Sequence, residues 1–250
     1  PSLSGVIWPS ETAGRSFQPP GYHLQLRRFP MKPDFNTVKN SPEIRTYITQ
    51  ADASLLALGY TEHSFAHVTK CAELASSILA QLDYDQRQVE LARIAGYMHD
   101  IGNVVNRVDH AQSGAVMAFR ILDKMGMAPE DVAVVVTAIG NHDEHTAYPV
   151  NAVAAALILA DKTDVRRSRV RNRDTIRFDI HDRVNYAVER SDVVLDTAGR
   201  TITLDLTIDT SICAVMDYFE IFLDRMLLCR KAAEYFGLDF KLTINGTAVL

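Results

Sequence analysis

The most constraining feature of this sequence is a set of histidines and aspartates inside apolar stretches with helical periodicity. Six of the eight histidines fall between positions 63 and 145. His99 and Asp100 end an apolar run that starts near Leu91, and Asp161 directly follows Leu157-Ile158-Leu159-Ala160. Burying an ionised group without a partner is costly, and a bound cation offsets that cost for a carboxylate. The sequence therefore predicts helices packed around a buried charged centre.

Helix signals dominate the chain from Ser41 to about residue 164. Ser41 followed by Pro42 is typical of a helix start, and Thr61 is predicted to cap a second helix. Apolar repeats predict four further helices, at about 86–99, at 111–125, from 129 onwards and at 151–164. The connections between them are short, as in a helical bundle.

The pattern changes after about residue 190. Residues 193–195 and 201–208 predict two strands, the second of which alternates strictly between apolar and polar residues. A long helix over about 210–236 is predicted next. A strand at 240–244 and a tight Asn245-Gly246 hairpin turn follow it.

These patterns predict three segments in a mainly α protein. Residues 1–40 are predicted to be an N-terminal tail, because prolines recur there without an apolar period. Met31 is a candidate natural start, with non-native or flexible sequence before it. Residues 41–190 are predicted to form a helical bundle, and residues 191–250 to add a small antiparallel β-sheet and a long packing helix to the same body.

Composition indicates a protein of the cytoplasm. The formal net charge of −5 argues against wholesale binding to nucleic acid or an anionic membrane. Cys71, Cys213 and Cys229 are odd in number and far apart, which fits a reducing compartment better than a disulfide framework. No apolar run approaches about 20 uncharged residues, and the first residues lack the order of a secretory signal. We therefore expect no membrane span and no nucleic-acid partner.

Spacing indicates that several histidines share one centre. His63 and His67 are four apart in the predicted second helix, so both are expected to face the same way. His142 and His145 are three apart at the end of another helix. Together with the His99-Asp100 doublet they offer imidazole nitrogens and carboxylate oxygens. Such ligands suit Mn, Fe, Co, Ni or Zn, and a carboxylate-rich variant accepts Mg.

At these residues the chain resembles the HD-domain superfamily of metal-dependent phosphohydrolases, over about residues 61–165. The blocks that carry the resemblance are His63-Ser64-Phe65-Ala66-His67-Val68, Tyr97-Met98-His99-Asp100-Ile101-Gly102 and Leu159-Ala160-Asp161-Lys162. The resemblance implies a helical metal-binding domain that holds one or two divalent ions, which activate water for attack on a phosphorus ester. The metal ligands it implies are His67, His99, Asp100 and Asp161.

The two-metal branch of that family adds histidines between the doublet and the last aspartate. His110 and His142 are placed to play this part, and residues 110–114 resemble the branch's His-x-x-x-Gly element. The subgroup that cleaves cyclic di-GMP also carries a Gly-Tyr-Pro signature and a longer spacer after the doublet. This chain has no Gly-Tyr-Pro, and His110 follows Asp100 by ten positions (110 − 100). Cyclic di-GMP is therefore not the expected substrate.

Cations close to the proposed ligands are candidates for binding a phosphorylated substrate. Arg107, Lys162 and Arg166 are predicted to contact its phosphate, for which arginine offers a planar fork of donors. Asp100, Arg107 and Lys162 are predicted to act in catalysis, with Asp100 orienting the attacking water.

Other polar groups are interpreted as support or as surface. His63 and His145 are predicted to support the ligand histidines from behind. The arginines at 169–173 are interpreted as a solvated helix end. Residues 178–183, which contain a second pair, His181-Asp182, are interpreted as a turn.

Three functions remain open at this point. The leading one is a metal-dependent phosphohydrolase acting on a nucleotide or another small phosphate ester. The second is a di-iron oxygenase built on the same fold, and the third is a non-catalytic sensor that binds metal and nucleotide. The predicted long helix near Met216 is apolar on more than one face, so a homodimer is also considered.

Overall fold

Helices make up most of the described chain, which a computed structural model gives for residues 33–171 and 179–250. The first part contains α1 (Phe35–Lys39), α2 (Pro42–Ala57), α3 (Phe65–Gln81), α4 (Gln86–Met98), α5 (His110–Lys124), α6 (Pro129–Gly140) and α7 (Ala152–Lys162). A short 3-10 turn, Ile101–Val104, joins α4 to α5. The predicted mainly α fold is confirmed.

Helix α7 lies at the centre of the bundle. Its residues from Ala152 to Ala160 are all buried, and it packs against α3, α4 and α6. Small side chains let α3 and α4 approach closely beside it, since a Cβ on Gly96 would lie 2.8 Å from the Cα of Ala72. The centre of the core is therefore where α3, the end of α4 and α7 meet.

Helix starts follow the predicted capping chemistry with one correction. The Ser41 hydroxyl accepts a hydrogen bond from the Ile44 amide, as expected for a helix that begins at Pro42. The cap of α3 is Ser64, so the prediction of Thr61 was wrong. The amide of Glu62 donates to the Arg169 carbonyl at 2.8 Å, which holds this stretch as a loop. His63 therefore precedes α3 instead of sharing its face with His67.

The C-terminal part adds two helices and one sheet. Its elements are α8 (Ile180–Ala187), β1 (Val188–Asp196), β2 (Thr201–Ile208), α9 (Val215–Tyr235), β3 (Asp239–Ile244) and β4 (Thr247–Ala248). The strand order is β1-β2-β3-β4, and α9 packs on α7.

The predicted sheet was antiparallel throughout, and the observed sheet is mixed. β1 pairs with β2 antiparallel, but β2 pairs with β3 in parallel, with Leu204 opposite Leu242. The physical reason is α9, a 21-residue helix that carries the chain back to the starting edge, as a parallel connection requires. The Asn245-Gly246 turn then joins β3 and β4 antiparallel, as predicted.

Two further expectations concern segment ends. Asp179 caps α8 through the amides of His181 and Asp182, so the turn predicted there is a helix from Ile180 onwards. Residues 1–32 of the predicted tail, and residues 172–178, lie outside the described residues. Within the predicted tail, Phe35 and Val38 of α1 are buried. The described residues belong to one compact unit, so the division at residue 190 stays a prediction.

Membrane insertion was not expected from the sequence. Within the described ranges, no helix combines the length and the apolar character that crossing a bilayer requires.

Candidate metal centre

Six predicted ligands come together where α3, α4, α5, α6 and α7 meet. His67 lies on α3, Asp161 lies near the end of α7, and the His99-Asp100 doublet follows the last turn of α4. His110 is the first residue of α5, and His142 follows α6. All four of these histidines and Asp100 are buried, and Asp161 is half-buried.

A close backbone contact brings the doublet and α5 together. A Cβ on Gly102 would overlap the carbonyl oxygen of His110 and the amide nitrogen of Gly114. A Cβ added to Gly114 would in turn lie 3.2 Å from the His99 carbonyl oxygen. The glycine two positions after Asp100 is therefore needed so that His110 can reach the doublet.

Four ligand atoms form the first group: Nε2 of His67, Nε2 of His99, Oδ2 of Asp100 and Oδ1 of Asp161. His67 Nε2 lies 3.3 Å from Asp161 Oδ1 and 3.6 Å from Asp100 Oδ2. His99 Nε2 lies 3.3 Å from Asp100 Oδ2 and 3.6 Å from Asp161 Oδ1. Ligands held about 2.0–2.2 Å from one ion lie about 3–3.5 Å from each other. These spacings therefore fit a single divalent cation.

Two atoms of this group have no hydrogen-bond partner among the described residues. They are His99 Nε2 and Asp100 Oδ2, and both are buried. Leaving a buried polar atom unpaired costs about 1–3 kcal/mol, and more when the group is charged. A cation that accepts both lone pairs removes that cost, so the donor set fits a metal ion.

The ring orientation of all four histidines points Nε2 towards the centre. Each Nδ1 donates a hydrogen bond to an acceptor outside the centre. His67 Nδ1 donates to Asp164 Oδ2 at 2.8 Å. The other three donate to backbone carbonyls, His99 to Gly96 at 2.8 Å, His110 to Arg107 at 3.0 Å and His142 to Ile139 at 2.6 Å. Each Nδ1 is thus assigned as the protonated nitrogen, which leaves Nε2 free to bind a metal.

The second group consists of Oδ1 of Asp100, Nε2 of His110 and Nε2 of His142. The two Nε2 atoms are 3.2 Å apart, and they lie 3.7 Å and 4.0 Å from Asp100 Oδ1. Asp100 therefore presents one oxygen to each group, as a bridging carboxylate does. The second group also meets protein donors, because Asn103 Nδ2 donates to Asp100 Oδ1 at 2.9 Å and Arg107 Nη1 lies 3.3 Å from His110 Nε2.

Cys71 lies beside the first group but does not join it. Its Sγ is 3.7 Å from both ring nitrogens of His67, so it is not in line with the Nε2 lone pair. Burial raises the pKa of the Cys71 thiol well above its ordinary value. A thiol of this kind packs against the ring and leaves the ligand set to nitrogen and oxygen.

The pKa values of His99 and Asp161 in the first group are strongly shifted. Burial alone would lower the pKa of His99, but the Asp100 and Asp161 carboxylates outweigh it and raise the pKa to about 10. Burial would likewise raise the pKa of Asp161, and the adjacent Lys162 ammonium holds it well below the usual range instead. Without a metal, this group therefore holds a proton on His99 between two carboxylates.

Asp164 is the main supporting residue that the sequence reasoning missed. Its fully buried carboxylate accepts from His67 Nδ1 and lies 2.8 Å from Lys70 Nζ and 2.9 Å from Arg166 Nε. Burial would raise the pKa of Asp164, yet the hydrogen bond from His67 and the nearby cations hold it well below its ordinary value. The only signal in the sequence was its position three residues after Asp161.

The three predicted phosphate-binding cations occupy different places. Arg107 is half-buried beside the second group, with its guanidinium 5.7 Å from the centre of the Tyr60 ring. Lys162 is buried, and its Nζ lies 2.7 Å from Asp161 Oδ2. Arg166 is bound to Asp164 and donates to the Ser168 hydroxyl at 2.6 Å, behind His67. Of the three, Arg107 is the one beside the second group.

The predicted supporting histidines differ from each other. The His63 ring packs edge-on against His67 at 5.4 Å between centroids, and its Nδ1 bonds the Thr61 carbonyl at 2.7 Å. Burial, together with Arg169, keeps the pKa of His63 well below its ordinary value. His145 is exposed, and within the described ranges no hydrogen bond or ion pair joins it to the centre. Its neighbour Glu144 faces Lys162 instead, at 3.3 Å.

One arginine of the run at 169–173 departs from the expected solvated end. Arg169 is buried, and it donates to the Glu62 carbonyl at 2.9 Å and the Asp164 carbonyl at 2.7 Å. It ties the loop before α3 to the segment after α7, so its role is structural. Arg171 is exposed and pairs with Asp52, and Arg173 lies outside the described residues.

A known domain family matches the part of the sequence that contains this centre. The model of the HD domain matches residues 62–169, a range that includes every ligand of both groups. Residues 62–169 are an HD domain. The predicted superfamily is thereby confirmed, and with it a domain type that binds divalent metals.

Among solved structures, the chain is similar to a predicted HD superfamily hydrolase from an uncultured Thermotogales bacterium. The two sequences are 29% identical over 51% of this chain and 71% of that chain, and the TM-score is 0.38. No curated protein matches the chain.

Proposed function

We propose that this protein is a metal-dependent phosphohydrolase that acts on a nucleotide or another small phosphate ester. The observation that supports it most is the pair of buried ligand atoms without a partner, His99 Nε2 and Asp100 Oδ2, inside an HD domain. The two atoms face each other at 3.3 Å in a buried position, so a positive charge is needed between them, from a proton on His99 or from a metal ion.

The residues of the first group would hold one divalent ion, and those of the second group would hold another. When bound, such ions lower the pKa of water and neutralise the charge of a phosphate. Mn, Fe, Co, Ni, Zn and Mg all remain candidates, since nitrogen and oxygen ligands do not select strongly among them.

The side chains around the ions have distinct tasks in this proposal. Asp100 lies between the two groups, and the Asn103 amide fixes its Oδ1, so this carboxylate is placed to orient a water molecule. Arg107 lies beside the second group, with its Nη1 3.3 Å from His110 Nε2, and its planar fork is proposed to bind phosphate oxygens. Lys162 is proposed to act near the substrate as well, although two carboxylates already engage its ammonium.

The deciding experiment joins metal analysis to a substrate panel. The purified protein would be analysed for bound metal and then assayed for phosphate release from nucleotides, sugar phosphates and p-nitrophenyl phosphate. Chelation should abolish release, and adding back Mn²⁺ or another single metal should restore it. Asp123→Asn, at an exposed carboxylate on α5, serves as the control for Asp100→Asn.

The alternatives give different results in the same experiment. Oxygen consumption with two bound irons and no phosphate release would favour an oxygenase. Tight metal and nucleotide binding without any turnover would favour a sensor. Either of these results would overturn the proposed hydrolysis while leaving the metal centre in place.

A further inference from the structure

Asp161 is connected to the C-terminal helix α9 by a row of alternating charges. Its Oδ1 belongs to the first ligand group, and its Oδ2 lies 2.7 Å from Lys162 Nζ. The same ammonium lies 3.3 Å from Glu144 Oε2, in the loop after α6. The other oxygen of Glu144 is bound by Arg225 Nε, and the Arg225 guanidinium rests 4.5 Å from the centre of the Phe222 ring on α9.

The members of this row are mostly withdrawn from solvent. The side chain of Lys162 is 5% exposed, that of Glu144 is 15% exposed and that of Arg225 is 25% exposed. A buried ammonium is stable only when its counter-charges remain in place. Removing one partner from a buried pair is strongly destabilising, because it leaves an uncompensated charge. Lys162 therefore depends on Glu144, and Glu144 depends on Arg225.

Lys162 on its own does not determine how Asp161 is oriented. It is the next residue in the chain and carries a long flexible side chain, so its ammonium needs a distant anchor to hold one position. Glu144 supplies that anchor, and Arg225 fixes Glu144 against α9. With Oδ2 held in this way, the other oxygen of Asp161 is directed at Nε2 of His67 and His99.

We propose that Glu144 and Arg225 are positioning residues that hold Asp161, through Lys162, in the orientation that binds metal. Arg225 lies outside the 62–169 match to the HD domain, so in this proposal the C-terminal helix supports the metal centre from outside that domain. The proposal rests on metal binding at the first group, and it does not depend on which reaction follows.

Positioning and a simple charge effect predict opposite changes in metal affinity when Arg225 is replaced. Removing the positive charge of Arg225 would, through space, make the centre more attractive to a cation. Neutralising Glu144 would make it less attractive. If the two residues act by holding Lys162 and Asp161 in place, both changes weaken metal binding. The sign of the Arg225 effect therefore separates the two explanations.

The test measures the dissociation constant of Mn²⁺ by titration calorimetry, with bound Mn²⁺ counted by electron paramagnetic resonance. Outer ligand partners typically contribute tenfold to a hundredfold in metal affinity. We expect Glu144→Gln to weaken the tighter site within that range and Arg225→Met to weaken it about tenfold. Arg225→Lys keeps the charge and should recover most of the affinity, to within about threefold of the wild type.

Arg183→Met is the matched control. Arg183 on α8 also pairs with α9, through Asp217 at 3.4 Å, and its exposure is similar, but the pair does not continue to a ligand. We expect this variant to keep Mn²⁺ affinity within about twofold of the wild type, because the Arg183–Asp217 pair does not lead to a ligand.

Each outcome decides one statement. Unchanged or tighter Mn²⁺ binding in folded Arg225→Met overturns the positioning role. If Arg225→Met does not fold, Arg225→Gln takes its place, because it also removes the positive charge, and unchanged or tighter Mn²⁺ binding there overturns the role. Unchanged binding in Glu144→Gln overturns it as well. A wild-type protein that binds none of Mn²⁺, Fe²⁺, Co²⁺, Ni²⁺, Zn²⁺ and Mg²⁺ overturns the metal centre itself. If the wild type binds metal and the variants bind it equally well, only this inference is overturned.

Discussion

The two groups of ligand atoms that share Asp100 differ in the charge they hold before any ion binds. In the first group two carboxylates keep a proton on His99, whose pKa is raised to about 10. In the second group burial lowers the pKa of His142, and the charges of His99 and Lys162 lower it further. Burial and the Arg107 guanidinium lower the pKa of His110 in the same direction. The first group therefore holds a protonated histidine, while the two histidines of the second group are neutral.

This difference indicates an order of binding. An ion in the first group replaces the proton on His99 and meets two carboxylates, from Asp100 and Asp161. An ion in the second group must compete with Arg107 for His110. We therefore expect a tight first site and a weaker second site, and four measurements can break or sharpen that expectation.

The largest effect is expected from removing the shared ligand. Asp100→Ala should weaken the tight site by more than about a hundredfold, beyond the range for outer partners, and should abolish turnover. Titration calorimetry with Mn²⁺ measures the first result, and phosphate release measures the second. Asp123→Ala, on the exposed side of α5, is the control and should behave as wild type. Two full sites in folded Asp100→Ala would remove Asp100 from both groups.

The next largest effect separates the two sites. His142→Ala should lose the weaker ion, by about tenfold to a hundredfold in affinity, and leave the tight site almost intact. His67→Ala should do the reverse. Counting bound Mn²⁺ per chain at several free concentrations distinguishes these outcomes. Loss of both ions in each variant would mean that the groups are one cooperative site and not two of different strength.

Arg107 is expected to have opposite effects on metal and substrate. Arg107→Ala should tighten the second site, because a competing cation is removed from His110. It should also slow hydrolysis of a cleaved phosphate ester by about one to two orders of magnitude, since a charged hydrogen bond is worth roughly 1.5–3 kcal/mol. The control is Arg120→Ala on the exposed face of α5. Unchanged kcat/KM would contradict phosphate binding by Arg107.

The smallest effect, about one proton for each ion bound, is a pH dependence that only the first site should show. At neutral pH His99 is protonated in the metal-free protein, so binding the first ion releases about one proton. Affinity for that ion should rise about tenfold for each pH unit towards pH 10. The second site should release almost no proton near pH 7, because the pKa values of its histidines are lowered. Calorimetric titrations in two buffers of different ionisation heat measure how many protons each site releases.

The ligands themselves were accessible from sequence because their signal is local. His67, His99, Asp100 and Asp161 each interrupt an apolar helical pattern, and burial without a partner would be costly at every one of them. The helix start at Ser41-Pro42 was equally local. Strand β2 was predictable because its side chains alternate, and its apolar members are buried as expected.

What supports the ligands was not accessible, because it depends on contacts between distant parts of the chain. Asp164 reaches His67 across 97 positions, and Arg225 reaches Glu144 only because α9 packs on α7. Thr61 and Ser64 are both good helix caps, and the bond between Glu62 and Arg169 decides between them. In the same way, the parallel pairing of β2 and β3 is set by where α9 returns the chain.

The contact of Gly102 with the start of α5 has a consequence for how this centre can change. Two main chains touch there, without side chains between them, so the spacing between the doublet and His110 is a property of the scaffold. Exchanging ligands one at a time leaves that spacing as it is. A centre with a different distance between its ions would require the whole of α5 to move, so descendants of this fold are freer to change their metal than to change its geometry.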